Sequence, residues 1–172
     1  MRAALELFDE RGYDSTTAAA IAERAGVTEM TFFRHFPSKD SVLIADPYDP
    51  LIAEAILRQP AQLSPLAAAI EAIADGWKSV PPPASDEVRD RLRIVSRTPS
   101  LRGAIARNNA ATEEAIAGAL TERGVAKSDA RISAAATMGA LSAALLDWAD
   151  GDDPDLGTAI DTALRVLKGE QQ

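Results

Sequence analysis

The chain has 172 residues, a formal net charge of −8 and a hydrophobic share of 47 %, with no cysteine and a single histidine. That is long enough for a real core in one medium domain or a small unit joined to a larger one. It excludes disulfides and thiolate metal sites. The acidic balance argues against a promiscuous nucleic-acid coat, although a local patch and not the total decides DNA binding. No positively charged start leads into an apolar signal segment, and no apolar run is expected to approach a membrane span, so a cytoplasmic protein is expected.

The first quarter reads as three short helices with a tight turn. Ala4, Leu5 and Phe8 repeat at helical spacing and form a first apolar face. Gly12 ends that helix, since glycine enters the left-handed region at no steric cost, and Tyr13 packs back. Ser15, Thr16 and Thr17 are N-cap residues ahead of a helix from Ala18 to Ala25. Ala22 and Ala25 are small enough for another helix to approach closely. Gly26 makes the turn and Val27 is expected to plug the angle between helices. Thr28 caps the next helix and leaves Glu29, Met30 and Thr31 in its first turn. Phe32 and Phe36, four apart, are core; Phe33 cannot face the same core as Phe32.

Ile21-Ala22, Ala25-Gly26-Val27, Thr31-Phe32-Phe33-Arg34-His35-Phe36 and Lys39 together resemble the helix-turn-helix of the TetR family of transcriptional regulators. The resemblance implies an all-α fold, double-stranded DNA as partner, and a third helix whose N-terminal residues meet base edges in the major groove. Carried onto this chain, the contact residues are Thr17, Thr28, Glu29, Met30, Thr31, Phe33, Arg34, His35 and Lys39. Arg34, His35 and Lys39 are cations for phosphates, which position a protein without reading sequence, or else a solvated charged face. Thr31 can touch a thymine methyl or accept a hydrogen bond. Glu29 either accepts from a cytosine amine or complements the helix dipole.

The stretch departs from the family in three places. Phe33 stands where a tyrosine is usual, which loses a phosphate bond but keeps the contact. Ala18-Ala19-Ala20 replaces the polar or basic residues common near the phosphates. The chain opens almost inside helix one, where the family carries a basic arm. Residues 1–45 hold five cations against seven carboxylates. Either the start is truncated or the protein binds without such an arm, in which case the electrostatic part of DNA affinity is expected to be weak.

The rest is helix-like. A helix near Ser41–Ala45 joins the head to the body, and Pro47 and Pro50 interrupt its continuation. Leu51, Ala55 and Ile56 continue a face to Arg58. Ser64 caps a helix with Pro65 at its first position, lined by Leu66, Ile70, Ile73 and Trp77. Pro81-Pro82-Pro83 is a stiff connector. Ser85 caps a helix with Val88, Leu92 and Val95 inward. Its Arg89, Arg91, Arg93 and Arg97 alternate with Asp86, Glu87 and Asp90, as in a salt-bridged solvated helix. Pro99 opens a long helix through Ile105, Ile116 and Leu120 to Gly124. Ser128 or Asp129 starts another through Met138 to Trp148. Gly151-Asp152-Asp153-Pro154 breaks it, and Leu156 to Leu167 form the last.

The segment from Arg91 through Pro99-Ser100-Leu101-Arg102 to Trp148 resembles the C-terminal domain of mycofactocin-type TetR regulators, which implies an acyl-CoA or another lipophilic effector. Residues 1–45 are then a DNA-binding head and 46–172 a ligand-binding and dimerisation body. The last two helices form a four-helix interface in the family, which here selects Ala134, Leu141, Leu145, Trp148, Ile160 and Leu164. The expected effector residues are Ile73, Trp77, Ile94, Leu101, Ile105, Asn108, Asn109 and Met138. The implied function is a repressor that binds a palindromic operator as a homodimer and is released by a small molecule. A helical ligand-binding or dimerisation protein with a degenerate head is the rival. No cofactor or metal is expected, and the lack of cysteine, of a second histidine and of a glycine-rich phosphate loop speaks against an enzyme.

Overall fold

The computed structural model describes residues 1–44, 49–79 and 85–170. Among them every regular element is a helix. The head is α1 (Arg2–Arg11), α2 (Ala18–Arg24), α3 (Glu29–His35) and the single turn α4 (Ser41–Ile44). The body is α5 (Asp49–Arg58), α6 (Pro65–Ser79), α7 (Ser85–Arg97), α8 (Arg102–Glu122), α9 (Lys127–Asp150) and α10 (Leu156–Leu167), with a 3-10 turn at Pro99–Leu101 leading into α8. Pro47 and the Pro81–Pro83 connector lie outside the described residues, as do Ala45 and the side chain of Ser85. Pro50 stands in the first turn of α5, where its missing N–H would have had no helical partner.

Local chemistry sets the head. The Thr17 hydroxyl accepts from the Ala20 N–H at 3.1 Å and the Thr28 hydroxyl from the Thr31 N–H at 3.2 Å, so both helices start on capped donors. Gly12 (φ 79°) ends α1 with its N–H on the Phe8 carbonyl at 2.9 Å. Gly26 (φ 69°) turns the chain between α2 and α3, and the Val27 N–H reaches back to the Ala22 carbonyl at 3.0 Å. Three expectations change. Thr16 is not a cap: it is buried, and its hydroxyl donates to Gly12 O (2.8 Å) and Leu7 O (3.2 Å), which ties α1 to the following loop. Val27 does not plug the inter-helix angle but is 42 % exposed, and Ala25 is exposed as well.

Two features position the head on the body. Leu101, from the turn before α8, is buried among Leu5, Phe8, Val42 and Leu43, with Ile94, Val95 and Ile105 packed around it. Arg91 of α7 donates from Nε and Nη2 to the Leu43 carbonyl of α4 at 3.0 and 2.7 Å, and Ser100 Oγ donates to Asp14 at 2.6 Å. Arg89, Arg91 and Arg93 of α7 are therefore partly buried and bonded to backbone carbonyls, while Arg97 is exposed. Arg89 stacks over the Trp148 ring at 4.3 Å and donates to the carbonyls of Gly151 and Asp153, while Arg93 donates to Ala149 O at 2.8 Å. Guanidiniums with several planar donors suit the orphan carbonyls at a helix C-terminus. One side of α7 holds the end of α4 and another the end of α9.

The body core lies between α5, α6, α8 and α9, where Ile56, Ile116, Leu120 and Ala130 are fully buried. A second cluster joins Ile70 and Ile73 of α6 to Ile160 and Leu164 of α10. Arg123 closes the end of α5 by donating to the carbonyls of Ile56, Gln59 and Pro60. The start of α9 departs from expectation: Ala126 precedes it with no side-chain cap, and Ser128 donates to Asp129 instead. α9 is also long and apolar enough to cross a membrane, contrary to the expectation that no segment approaches a span. In this fold it packs against α6, α7, α8 and α10.

A Cβ at Gly26 would meet nothing within 4 Å, so Gly26→Ala carries only the conformational cost of a left-handed alanine, about 1–2 kcal/mol. Denaturant unfolding should show a loss of that size; an unchanged midpoint would mean that the turn relaxes.

Candidate nucleic-acid interface and effector domain

The recognition element is a two-turn helix whose core side is a single residue. Phe32 is 5 % exposed and carries Phe33 edge-on at 5.3 Å and Phe36 at 5.5 Å between ring centroids. Around that anchor Glu29, Met30, Phe33, Arg34 and His35 are all exposed, and Thr31 is half-buried. α3 is thus held from one side and presents a continuous outer face. Among the described residues no carboxylate pairs with Arg34, so its guanidinium is available to an anion. Arg24, by contrast, is bound to Glu10 through two bonds of 3.0 and 2.9 Å, with Glu6 at 3.6 Å. The Arg24 hydrogen bonds hold the Glu10 carboxyl below its ordinary range. That pair fastens α1 to α2 and removes one cation from the inventory for phosphates.

Lys39 has a role that its sequence position did not reveal. Its ammonium donates to the Tyr13 carbonyl at 2.7 Å and the Thr16 carbonyl at 2.8 Å, and lies 3.9 Å from the centre of the Tyr13 ring. An ammonium has three donors, so one remains for a phosphate. Burial pushes the Lys39 pKa down, against the raising effect of Asp14 and Asp40. Burial, followed by the charges of Asp40 and Asp14, pushes Tyr13 up to about 12. The loop between α1 and α2 and the loop after α3 are thereby joined. Thr17, expected at the interface, is exposed, and its hydroxyl caps α2.

The expected effector residues do not converge on one cavity. Ile94, Leu101 and Ile105 complete the core of the head. Ile73 packs with Ile160 and Leu164, Met138 lies against the α5–α8 cluster, and Trp77 bridges two clusters. Asn108 and Asn109 are half-buried on α8, with Asn109 Nδ2 at 3.5 Å from Ser142 Oγ of α9. An open groove of about 480 Å³ between the start of α6 and the end of α10, lined by Leu66, Ile70 and Leu167, contains none of them.

The expected dimer residues lie mostly inside the protomer. Ala134, Trp148, Ile160 and Leu164 are each less than a tenth exposed and serve the protomer's own core; Leu141 and Leu145 are half-buried against it. The outward side of α9 is a different set: Ile132, Ala135, Ala136, Gly139, Ala143 and Leu146, at helical spacing, with Val166 exposed on α10. Within the protomer the expected residues pack in the clusters around α6, α7 and α8. The small residues, which allow close approach, face out.

Residues 1–45 match the sequence profile described as bacterial regulatory proteins, tetR family, and residues 63–172 match that of the MftR C-terminal domain. The HTH-type transcriptional regulator TcmR of Streptomyces glaucescens is 32 % identical over 99 % of this chain and 81 % of its own length. Among solved structures, Thermus thermophilus FadR, described as a transcriptional repressor in complex with lauroyl-CoA, has a TM-score of 0.51 at 26 % identity, covering 97 % of this chain and 90 % of that one. A transcriptional regulator from Aquifex aeolicus has a TM-score of 0.53 at 16 % identity, with 97 % and 94 % covered. The second likeness speaks for the fold alone.

Lys39→Met keeps the stem over Tyr13 but strands two carbonyls, which should cost about 1–3 kcal/mol in thermal or denaturant unfolding. The Tyr13 shift has a sign that can be checked. The folded state holds the phenol proton more tightly than the unfolded one, so this stabilisation is complete below pH 10 and is lost as pH rises from 10 to about 12. Tyr13→Phe should flatten the stability profile in that window; an unaltered slope would contradict the assignment.

Proposed function

The chain belongs to the TetR family of transcriptional regulators, and from that premise we propose that it is a ligand-responsive repressor that binds a palindromic operator as a homodimer. The observation that carries the reading is α3, which is anchored through the buried Phe32 and keeps an exposed face, with no carboxylate paired to Arg34 among the described residues. Two such helices in a dimer address half-sites about one helical turn, ~34–36 Å, apart or a multiple of that spacing. Residues 1–45 act as the head and the remainder as the ligand-binding and dimerisation body. The protein works in the cytoplasm, beside the chromosome, and its role is binding and not catalysis.

The dimer forms through the small-residue side of α9, with Ile132 and Leu146 near its ends and Val166 of α10 beside it. The effector enters the body where Asn109 of α8 meets Ser142 of α9. A lipophilic acyl-CoA fits this reading best, because the FadR relative was crystallised with lauroyl-CoA. The effector acts only as far as it binds one head spacing better than the other. α7 is the connecting part, since its arginines hold the end of α4 on one side and the end of α9 on the other.

Fluorescence anisotropy with DNA from upstream of the coding region, at two salt concentrations, tests the reading. Tight, salt-sensitive binding that survives competitor DNA and is reversed by lauroyl-CoA is expected. No binding at low salt would favour a ligand-binding protein with a degenerate head. Ala143→Arg places a charge on the outward side of α9 and should give a folded monomer with operator affinity reduced at least tenfold. A variant that stays dimeric by ultracentrifugation would move the interface elsewhere.

A further inference from the structure

The outer face of the recognition helix is apolar where base edges would be read. Met30 is 83 % exposed, Phe33 44 % and Val27 42 %. Met30 and Phe33, three apart on α3, share one side of the helix, and Val27 is exposed in the turn that precedes it. Arginine, lysine, asparagine and glutamine, the side chains that read guanine and adenine through paired hydrogen bonds, are absent from positions 27–33. The two threonines there do not replace them. Thr28 Oγ1 accepts from the Thr31 N–H at 3.2 Å and lies 3.0 Å from Thr31 Oγ1, so the hydroxyls serve each other and the cap. Phe33 is pinned edge-on by Phe32 and carries no hydroxyl. The remaining polar group, Glu29, stands in the first turn, where its charge complements the helix dipole.

The major groove offers an apolar side chain one distinctive feature, the C5-methyl of thymine. We propose that Met30, with Phe33 on the same side of α3, selects operators by contact with thymine methyl groups, and that each half-site carries a thymine where the N-terminal turn of α3 enters the groove. Arg34 and His35, exposed at the other end of the helix, hold the backbone and leave the reading to the apolar residues. The inference rests on the DNA-binding reading above and adds the chemistry of its specificity. Solvent exposure of an unbranched, polarizable methionine is unfavourable in the free protein; contact with a methyl-bearing base edge removes that surface from water.

The test begins with duplexes selected from a randomised pool by the full-length protein. Each thymine of the selected site is then replaced, in both half-sites, by deoxyuridine, which lacks the methyl but keeps the same hydrogen-bonding edge. At one or two positions the affinity should fall about fourfold per half-site, the equivalent of one methyl group returned to water. Met30→Ala, an exposed substitution whose melting temperature should match that of the parent, should bind thymine and deoxyuridine operators equally. Two results would overturn the proposal: a selected operator indifferent to every replacement, or full sensitivity retained in Met30→Ala. Failure to select any sequence would instead remove the DNA-binding reading on which it stands.

Discussion

The burial of Leu101 in the head is the contact on which the rest of the arrangement depends. Leu101 comes from the turn that opens α8, yet it is 1 % exposed among Leu5, Phe8, Val42 and Leu43. Four short helices, one of them a single turn, have little apolar surface to bury on their own. Leu101, Ile94, Val95 and Ile105 supply what they lack. The head therefore does not hang from a linker. It is seated on the body, and its orientation follows α7 and α8.

That seating explains how so small a recognition element is held still. α3 has one fully buried residue, Phe32, and relies on the neighbouring loops. Lys39 joins two loops, Thr16 ties the loop after α1 to the carbonyls of Leu7 and Gly12, and Arg24 closes α1 on α2. Each commits polar groups to holding the head in place. The outer face that remains is apolar, apart from Glu29, Arg34 and His35. α7 links the head to the far end of α9, because Arg91 donates to the Leu43 carbonyl and Arg89 to the Gly151 carbonyl.

Much of the head was legible because its signals are local. A threonine cap, a glycine with positive φ and a buried phenylalanine act within four residues, and Thr17, Thr28, Gly12, Gly26 and Phe32 do in the structure what their positions implied. Helical periodicity is less informative, because it shows that a face is buried but not against what. Ala134, Trp148, Ile160 and Leu164 have the spacing of an interface, yet they are core; the interface candidates are small residues that read as filler. Leu101 and Ile105 read as pocket lining for the same reason. Lys39 reaches carbonyls 26 and 23 residues away, and Arg91 one 48 away, and no spacing in the sequence announces either bond. The arginines of α7 looked like a solvated charge pattern because acids alternate with them along the chain, whereas Arg89, Arg91 and Arg93 bond to backbone.

Hydrogen exchange on Leu101→Ala measures the shared core most directly. Removing a buried leucine should cost about 2–5 kcal/mol. If the head depends on that side chain, amides in α1, α2 and α3 lose protection together with those of α7 and the start of α8. Loss confined to α7 and α8, with the head amides as protected as before, would show that the head stands on its own core and contradict the coupling described here.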